Sequence, residues 1–339
     1  MGGTQRADIK TFNSTKIKGT KMKKILHLLS AAAFVSASLS PAYAFEPEST
    51  DPIKMMVADW TSMSIDTEIV GQILSSYGYN VEKVVADDSA RYPGFEAGDL
   101  DIAMETWQTT QQTAFQKSVA TGKVLDLGET GLHAKEEWWY PSYMKEKCPG
   151  LPDWQALKKC AEAFSTPDTA PKGRYLSGPV GWGGHDEERV AALDLPFDVV
   201  HAGTDAGLFA ELKSAYERQA PIVLWVYVPH WVPSVYSGEF VQFPKYEDAC
   251  YSDPAWGVNS KAAYDCGKPE GWIKKMGWAE GEKKWPCAYQ IVRNFQMDNE
   301  TMSKLVQQVD VDGGKLEDVV GEWLKANEDV WRKWAACAA

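Results

Sequence analysis

The stretch that most restricts the fold is the run from Ile53 to Trp107, where three short apolar segments alternate with two amphipathic ones. Ile53–Val57, Val81–Val85 and Leu100–Met104 read as buried strands. Between the first two, Ile65, Ile69, Ile73 and Tyr77 recur at helical spacing, with Thr61 or Ser62 as the cap and Gly78 as the stop. Ser89–Glu96 makes a second, shorter helix. Strand–helix–strand–helix–strand predicts a parallel sheet covered on both faces, an α/β fold. Two of the strands run out into an acid and an indole: Ala58-Asp59-Trp60 and Met104-Glu105-Thr106-Trp107. In such sheets ligands bind beyond the carboxyl ends of the strands, so these two tryptophans are candidate walls of a site. The first turn lacks G-x-G-x-x-G, which speaks against a dinucleotide.

A second series follows. Arg174–Leu176 is a strand, Gly178–Gly184 a glycine-rich loop carrying Trp182, and His185–Leu193 a helix. A short strand at Phe197–Val200 and a helical face of Leu208, Phe209, Leu212 and Tyr216 lead to the apolar strand Ile222–Val228, closed by Pro229-His230-Trp231. Between the two series lie a strand near Lys123–Leu127 and the aromatic run Glu136-Glu137-Trp138-Trp139-Tyr140-Pro141, read as an extended crossing segment. Cys250 to Cys287 reads mostly as loop, Met302–Val309 as a helix and Leu316–Trp334 as a final helix. No flexible linker separates the series, so two lobes with a cleft between them are expected: 45–135 and 233–339 forming one, 136–232 the other.

The N-terminus is expected to be removed. Lys21, Lys23 and Lys24 precede an apolar run from Ile25 to Leu39, and Ala42-Tyr43-Ala44 has the small-x-small form of a signal cleavage site. Loss of residues 1–44 removes seven basic residues and one acidic, so the formal charge of −12 becomes −18. That acidity argues against nucleic-acid partners. Six cysteines, all after residue 44 and without a Cys-x-x-Cys pair, point to disulfides in an oxidising compartment, the periplasm. Of the fifteen possible connectivities, the local pairs Cys148–Cys160 and Cys250–Cys266 with Cys287–Cys337 are the expectation. No metal or cofactor is expected.

The chain has 15 tryptophans against 5 histidines. Trp154, Trp323, Trp331 and Trp334 sit at helical spacing and read as packing residues, whereas Trp60, Trp107 and Trp225 lie at or near strand ends. Indoles are the best partners for a cation that cannot donate hydrogen bonds, such as a methylated ammonium. Each desolvated wall is worth about 1–2 kcal/mol, so a micromolar complex, about 8 kcal/mol, also needs methyl burial and a polar handle. His230 or the Gly183-Gly184 amides are candidates for that handle. Glu105 or Glu137 offsets the cation's charge from outside the box. Neither G-x-S-x-G nor H-E-x-x-H is present, and a receptor is favoured over an exported enzyme.

Ala58-Asp-Trp60, Gly98–Trp107, Trp139-Tyr-Pro141 and Trp225–Trp231 together resemble the periplasmic substrate-binding proteins of ABC importers for glycine betaine, choline and related methylated amines. The resemblance spans about residues 50–335 and implies two hinged lobes, a monomer, and a membrane permease as partner. Carried over, Trp60, Trp107 and Trp225 match box positions, Trp139 or Tyr140 the crossing aromatic, Trp182 an aromatic of the second lobe, and His230 a ligand-carboxylate partner. Choline binders place an acid two positions after the first tryptophan, where this chain has Ser62. The extra tryptophans resemble the trimethylamine N-oxide binders, with glycine betaine and the sulfonium dimethylsulfoniopropionate as the alternatives.

Overall fold

The computed structural model describes residues 45–338, so the leader, the signal segment and the cleavage site lie outside the described residues. The first series folds as β1 (Ile53–Val57), α1 (Thr61–Ser76), β2 (Val81–Val85), α2 (Asp88–Ala97) and β3 (Ile102–Trp107), followed by α3 (Gln108–Ala120). Both β2 and β3 pair with β1 in parallel, giving the order β2-β1-β3. Gly98, with φ +79°, caps α2 in the left-handed region and turns the chain into β3. The cap of α1 differs from the expectation. Trp60 itself holds that position, Thr61 donates to Asp310 at 2.8 Å, and Ser62 turns inward to Glu105.

One long strand, β4 (Val124–Pro141), replaces the two extended segments expected around 125 and 138. Its first half pairs with β9 (Gly271–Trp278) and its second half with β7 (Leu224–Val228). The second series, β5 (Gly173–Ser177), β6 (Phe197–His201) and β7, is also parallel, in the order β6-β5-β7. The short strand β8 (Gly238–Phe240) flanks β4. Two parallel trios of the same order are therefore joined through antiparallel β9 and β4 into one nine-stranded sheet.

Strand β9 corrects the reading of residues 250–287 as mostly loop. Its lysines and glycines hide it. Lys275 is fully buried and donates to the carbonyls of Arg293 (3.0 Å) and Phe295 (2.8 Å). Lys274 pairs with Asp126 at 2.7 Å. The final helix breaks at Asn327 into Leu316–Ala326 and Glu328–Trp334. The disulfides are Cys148–Cys160, Cys250–Cys266 and Cys287–Cys337. The helices Asn299–Asp310 and Leu316–Ala326 pack on α1, whose apolar side chains are buried almost throughout.

Candidate functional site

An order of 2-1-3 creates a switch point between strands 1 and 3, where successive crossovers leave on opposite faces and a crevice opens. Here there are two such points. Trp60 follows β1 and Trp107 ends β3, at the first. Trp182 lies in the 3-10 turn Val180–Trp182 after β5, and Tyr227 near the end of β7, at the second. Their rings line one crevice. The walls stand nearly perpendicular. Trp60 and Trp182 have ring centres 6.2 Å apart at 86°, Trp107 and Tyr227 5.5 Å at 86°, and Trp182 and Tyr227 5.8 Å at 82°.

Each ring is held from behind by a carboxylate. Glu105 Oε2 accepts from the indole N–H of Trp60 (2.6 Å) and of Trp107 (2.8 Å), and from Ser62 Oγ (3.1 Å). Trp182 Nε1 donates to Asp59 Oδ1 at 2.9 Å, and the Tyr227 hydroxyl to Asp205 Oδ1 at 2.8 Å. These bonds fix the ring planes and add electron density where a cation is drawn. Glu105 is completely buried, and burial raises its pKa while its three donors pull it down. Neighbouring Asp66 is raised well above the usual carboxylate range, by burial first and then by the charge on Glu105. The two carboxyls interact, and Asp66, which lacks the donors that hold Glu105, is raised the more of the two. Burial also lifts Asp205 to about 8.

The rest of the lining is polar and acidic. Asp88 lies there, paired with Arg91 at 2.7 Å and accepting from Gln111 Nε2 at 2.6 Å. Thr110 and Glu136 complete it. Glu136 is 7% exposed, its Oε2 has no hydrogen-bond partner, and burial raises its pKa to about 7 against the opposing pull of Lys268. No lysine, arginine or histidine lines the cavity.

Of the residues expected at a site, Trp60, Trp107 and Trp182 meet at this cavity, and Glu105 lies directly behind two of them. The others lie elsewhere. Trp225 is at the start of β7, fully buried, with the Lys268 ammonium 3.1 Å above its ring centre. Trp139 lines a separate hollow beside Phe240, and Tyr140 is buried with its hydroxyl 3.4 Å from Glu239. Glu137 pairs with Arg189 at 2.7 Å. His230 is stacked on Phe209 at 4.1 Å, and burial depresses its pKa well below the normal value. The Gly183-Gly184 turn is no part of the lining; Gly184 packs on Trp225. The sequence reading missed Tyr227, Glu136, Asp88, Thr110 and Gln111. Strand polarity held the signal for Tyr227: it lies on the same face as Trp225 but two residues closer to the carboxyl end.

Two α/β halves with an aromatic crevice at their switch points are the architecture of the two-lobed binding proteins of ABC importers. Residues 51–326 match the substrate-binding domain of ABC-type glycine betaine transport systems, and the chain belongs to that family. It is 33% identical over 320 residues, covering 91% of this chain and 98% of the relative, to the trimethylamine N-oxide-binding protein of Pelagibacter ubique. Among solved structures it resembles lactococcal OpuAC in its closed form with glycine betaine (TM-score 0.65, 18% identity, 84% of this chain and 99% of that one). It also resembles an ABC-transporter choline-binding protein in complex with choline (TM-score 0.67, 18% identity, 87% and 94%). The family consists of solute-binding receptors that take small ammonium ligands and serve an ABC permease; they are not enzymes. Such receptors work outside the cytoplasmic membrane, and no helix among the described residues is long and apolar enough to cross one.

Proposed function

We propose that this chain captures trimethylamine N-oxide in the cavity between Trp60, Trp107, Trp182 and Tyr227. One observation carries the reading: four electron-rich rings line a crevice in which Glu136 has a carboxyl oxygen, Oε2, without a hydrogen-bond partner, and no lysine, arginine or histidine is among the lining residues. The three methyl groups and the positive nitrogen lie against the rings, with Glu105 supplying the opposite charge from behind. The N-oxide oxygen carries formal negative charge and accepts hydrogen bonds only. Glu136, titrating near 7, donates its proton to that oxygen. Four walls supply roughly 4–8 kcal/mol, and one charge-assisted hydrogen bond about 1.5–3 more. Together these reach micromolar affinity.

Glycine betaine and dimethylsulfoniopropionate end in full carboxylates, and no lysine, arginine or histidine lines the crevice to pair with one, whereas the N-oxide oxygen needs a single donor, which Glu136 supplies. The crevice between the rings is narrow, with ring centres 5.5 to 6.2 Å apart, which favours a compact solute. The relative that binds trimethylamine N-oxide is also similar over nearly its whole length. Choline is the second reading, because a net cation suits an acidic lining.

In this proposal residues 45–135 and 233–339 form one lobe and 136–232 the other. The leader through Ala44 directs the chain to the periplasm, where it works as a monomer and delivers its cargo to the permease. Calorimetry on ligand-free protein against trimethylamine N-oxide, glycine betaine, choline and dimethylsulfoniopropionate tests the ligand. The N-oxide is expected to bind at micromolar affinity or tighter, and at least tenfold more tightly than glycine betaine. Equal or tighter binding of glycine betaine rejects it.

A further inference from the structure

Trp225 is the strand-end indole on which the protein itself has placed an ammonium. Lys268 is completely buried, its Nζ 3.1 Å above the Trp225 ring centre and 3.2 Å from Asp186 Oδ2. Gly184 leaves the space for this arrangement, since a Cβ there would come within 2.3 Å of the Trp225 ring and 3.1 Å of Nζ. The surrounding charges balance. Arg189 pairs with Glu137 at 2.7 Å and with Asp186 at 3.3 Å, so two cations face two anions. Glu136 stands beyond them. It lines the ring cavity on one side and shares a second hollow with Lys268 on the other.

The cavity is therefore electrically polar. At one end Trp60 and Trp107 are backed by Glu105, with Arg91 5.6 Å from the Trp60 ring centre and paired with Asp88, so that two carboxyls face one cation; at the other Glu136 shares its hollow with the Lys268 ammonium. We propose that Lys268 is a specificity-determining residue: it denies Trp225 to the ligand, favours a dipolar amine whose negative end points at Glu136, and penalises a bare tetraalkylammonium. The proposal rests on the trimethylamine N-oxide reading above. Trp225 and Tyr227 are about 7 Å apart along one face of β7, which puts Nζ on the order of 8 Å from a ligand in the cavity. At that distance and an effective dielectric of about 20, a full charge alters the affinity of a unit cation roughly thirtyfold. The Asp186 carboxylate offsets part of this, leaving about tenfold.

The test compares trimethylamine N-oxide with tetramethylammonium, in which a fourth methyl replaces the oxygen. In Lys268→Met the ratio of the two affinities is expected to fall at least tenfold, mainly through tighter tetramethylammonium binding. Lys268→Arg is expected to keep the ratio within about threefold of wild type. A purely structural lysine would weaken both ligands alike, so an unmoved ratio in a folded Lys268→Met protein overturns the proposal. Should that variant not fold, Asp186→Asn decides: it leaves the ammonium less compensated and is expected to raise the ratio about threefold or more, and an unchanged or lower ratio overturns the proposal. Failure of the wild-type protein to bind trimethylamine N-oxide overturns the ligand reading itself, whereas wild-type binding with an unmoved ratio overturns only the part given to Lys268.

Discussion

Glu136 makes the ligand reading testable by pH alone. Its pKa in the folded protein is raised from 4.5 to about 7, chiefly because burial disfavours the charged form. A hydrogen bond to an N-oxide oxygen requires the protonated acid. The apparent dissociation constant is then the intrinsic one multiplied by 1 + 10^(pH − 7), so affinity is nearly constant below about pH 6 and falls roughly tenfold between about pH 6 and pH 8. Folding stability moves the same way. A carboxyl raised on folding contributes fully below its unfolded pKa, and that contribution is lost as pH rises through about 7, on the order of 3 kcal/mol in all. The assay is calorimetric titration with trimethylamine N-oxide from pH 5.5 to 8.5, in wild type and in Glu136→Gln. The amide keeps a donor at every pH, so the variant should bind with a nearly flat profile. Any slope that remains in it reports another group, Asp205 behind Tyr227 first, which titrates near 8. A flat wild-type profile, or an equal slope in both proteins, would refute the assignment of Glu136 as the donor to the ligand.

Other expectations are simpler. Trp107→Ala removes one ring and one of the two indole donors on Glu105, and should weaken binding at least tenfold, measured by calorimetry. Trp139→Ala, away from the cavity, should lower the melting temperature yet leave affinity within about threefold. Tyr227→Phe keeps the ring and loses the hydroxyl on Asp205; a loss of threefold or more in affinity is expected, and none would show that the carboxylate contributes nothing through this ring. Reduction of the disulfides, whose sequence separations are 12, 16 and 50, should lower thermal stability, with roughly 3 kcal/mol for each short loop and about 4 for the long one. Melting curves with and without reductant measure this.

Several features were legible from local pattern. The alternation of strand and helix at 53–107 predicted a parallel sheet, and it forms in the order β2-β1-β3. Short separations along the chain made the Cys148–Cys160 and Cys250–Cys266 disulfides readable. Strand β9 was not readable, because Lys274 and Lys275 break its apolar pattern and their partners, Asp126 and the carbonyls at 293 and 295, lie on other elements. Nor was Glu136 distinguishable from Glu137. A strand's side chains alternate between faces, and nothing local says which face meets the cavity.

Taken alone, the chain's letters determined the fold class and the presence of indoles at strand ends, because both follow from periodicities of two and 3.6 along the backbone. Only the tertiary structure decided which rings converge. Asp59 and Trp182 are 123 residues apart, Trp60 and Glu105 are 45 apart, and the two switch points face one cavity through strands that pair across the whole sheet. The same three-dimensional arrangement brought Lys268 onto Trp225, satisfying within the protein a ring that the sequence had offered to the ligand. Convergence depends on strand order and register, which long-range pairing sets and no local window contains.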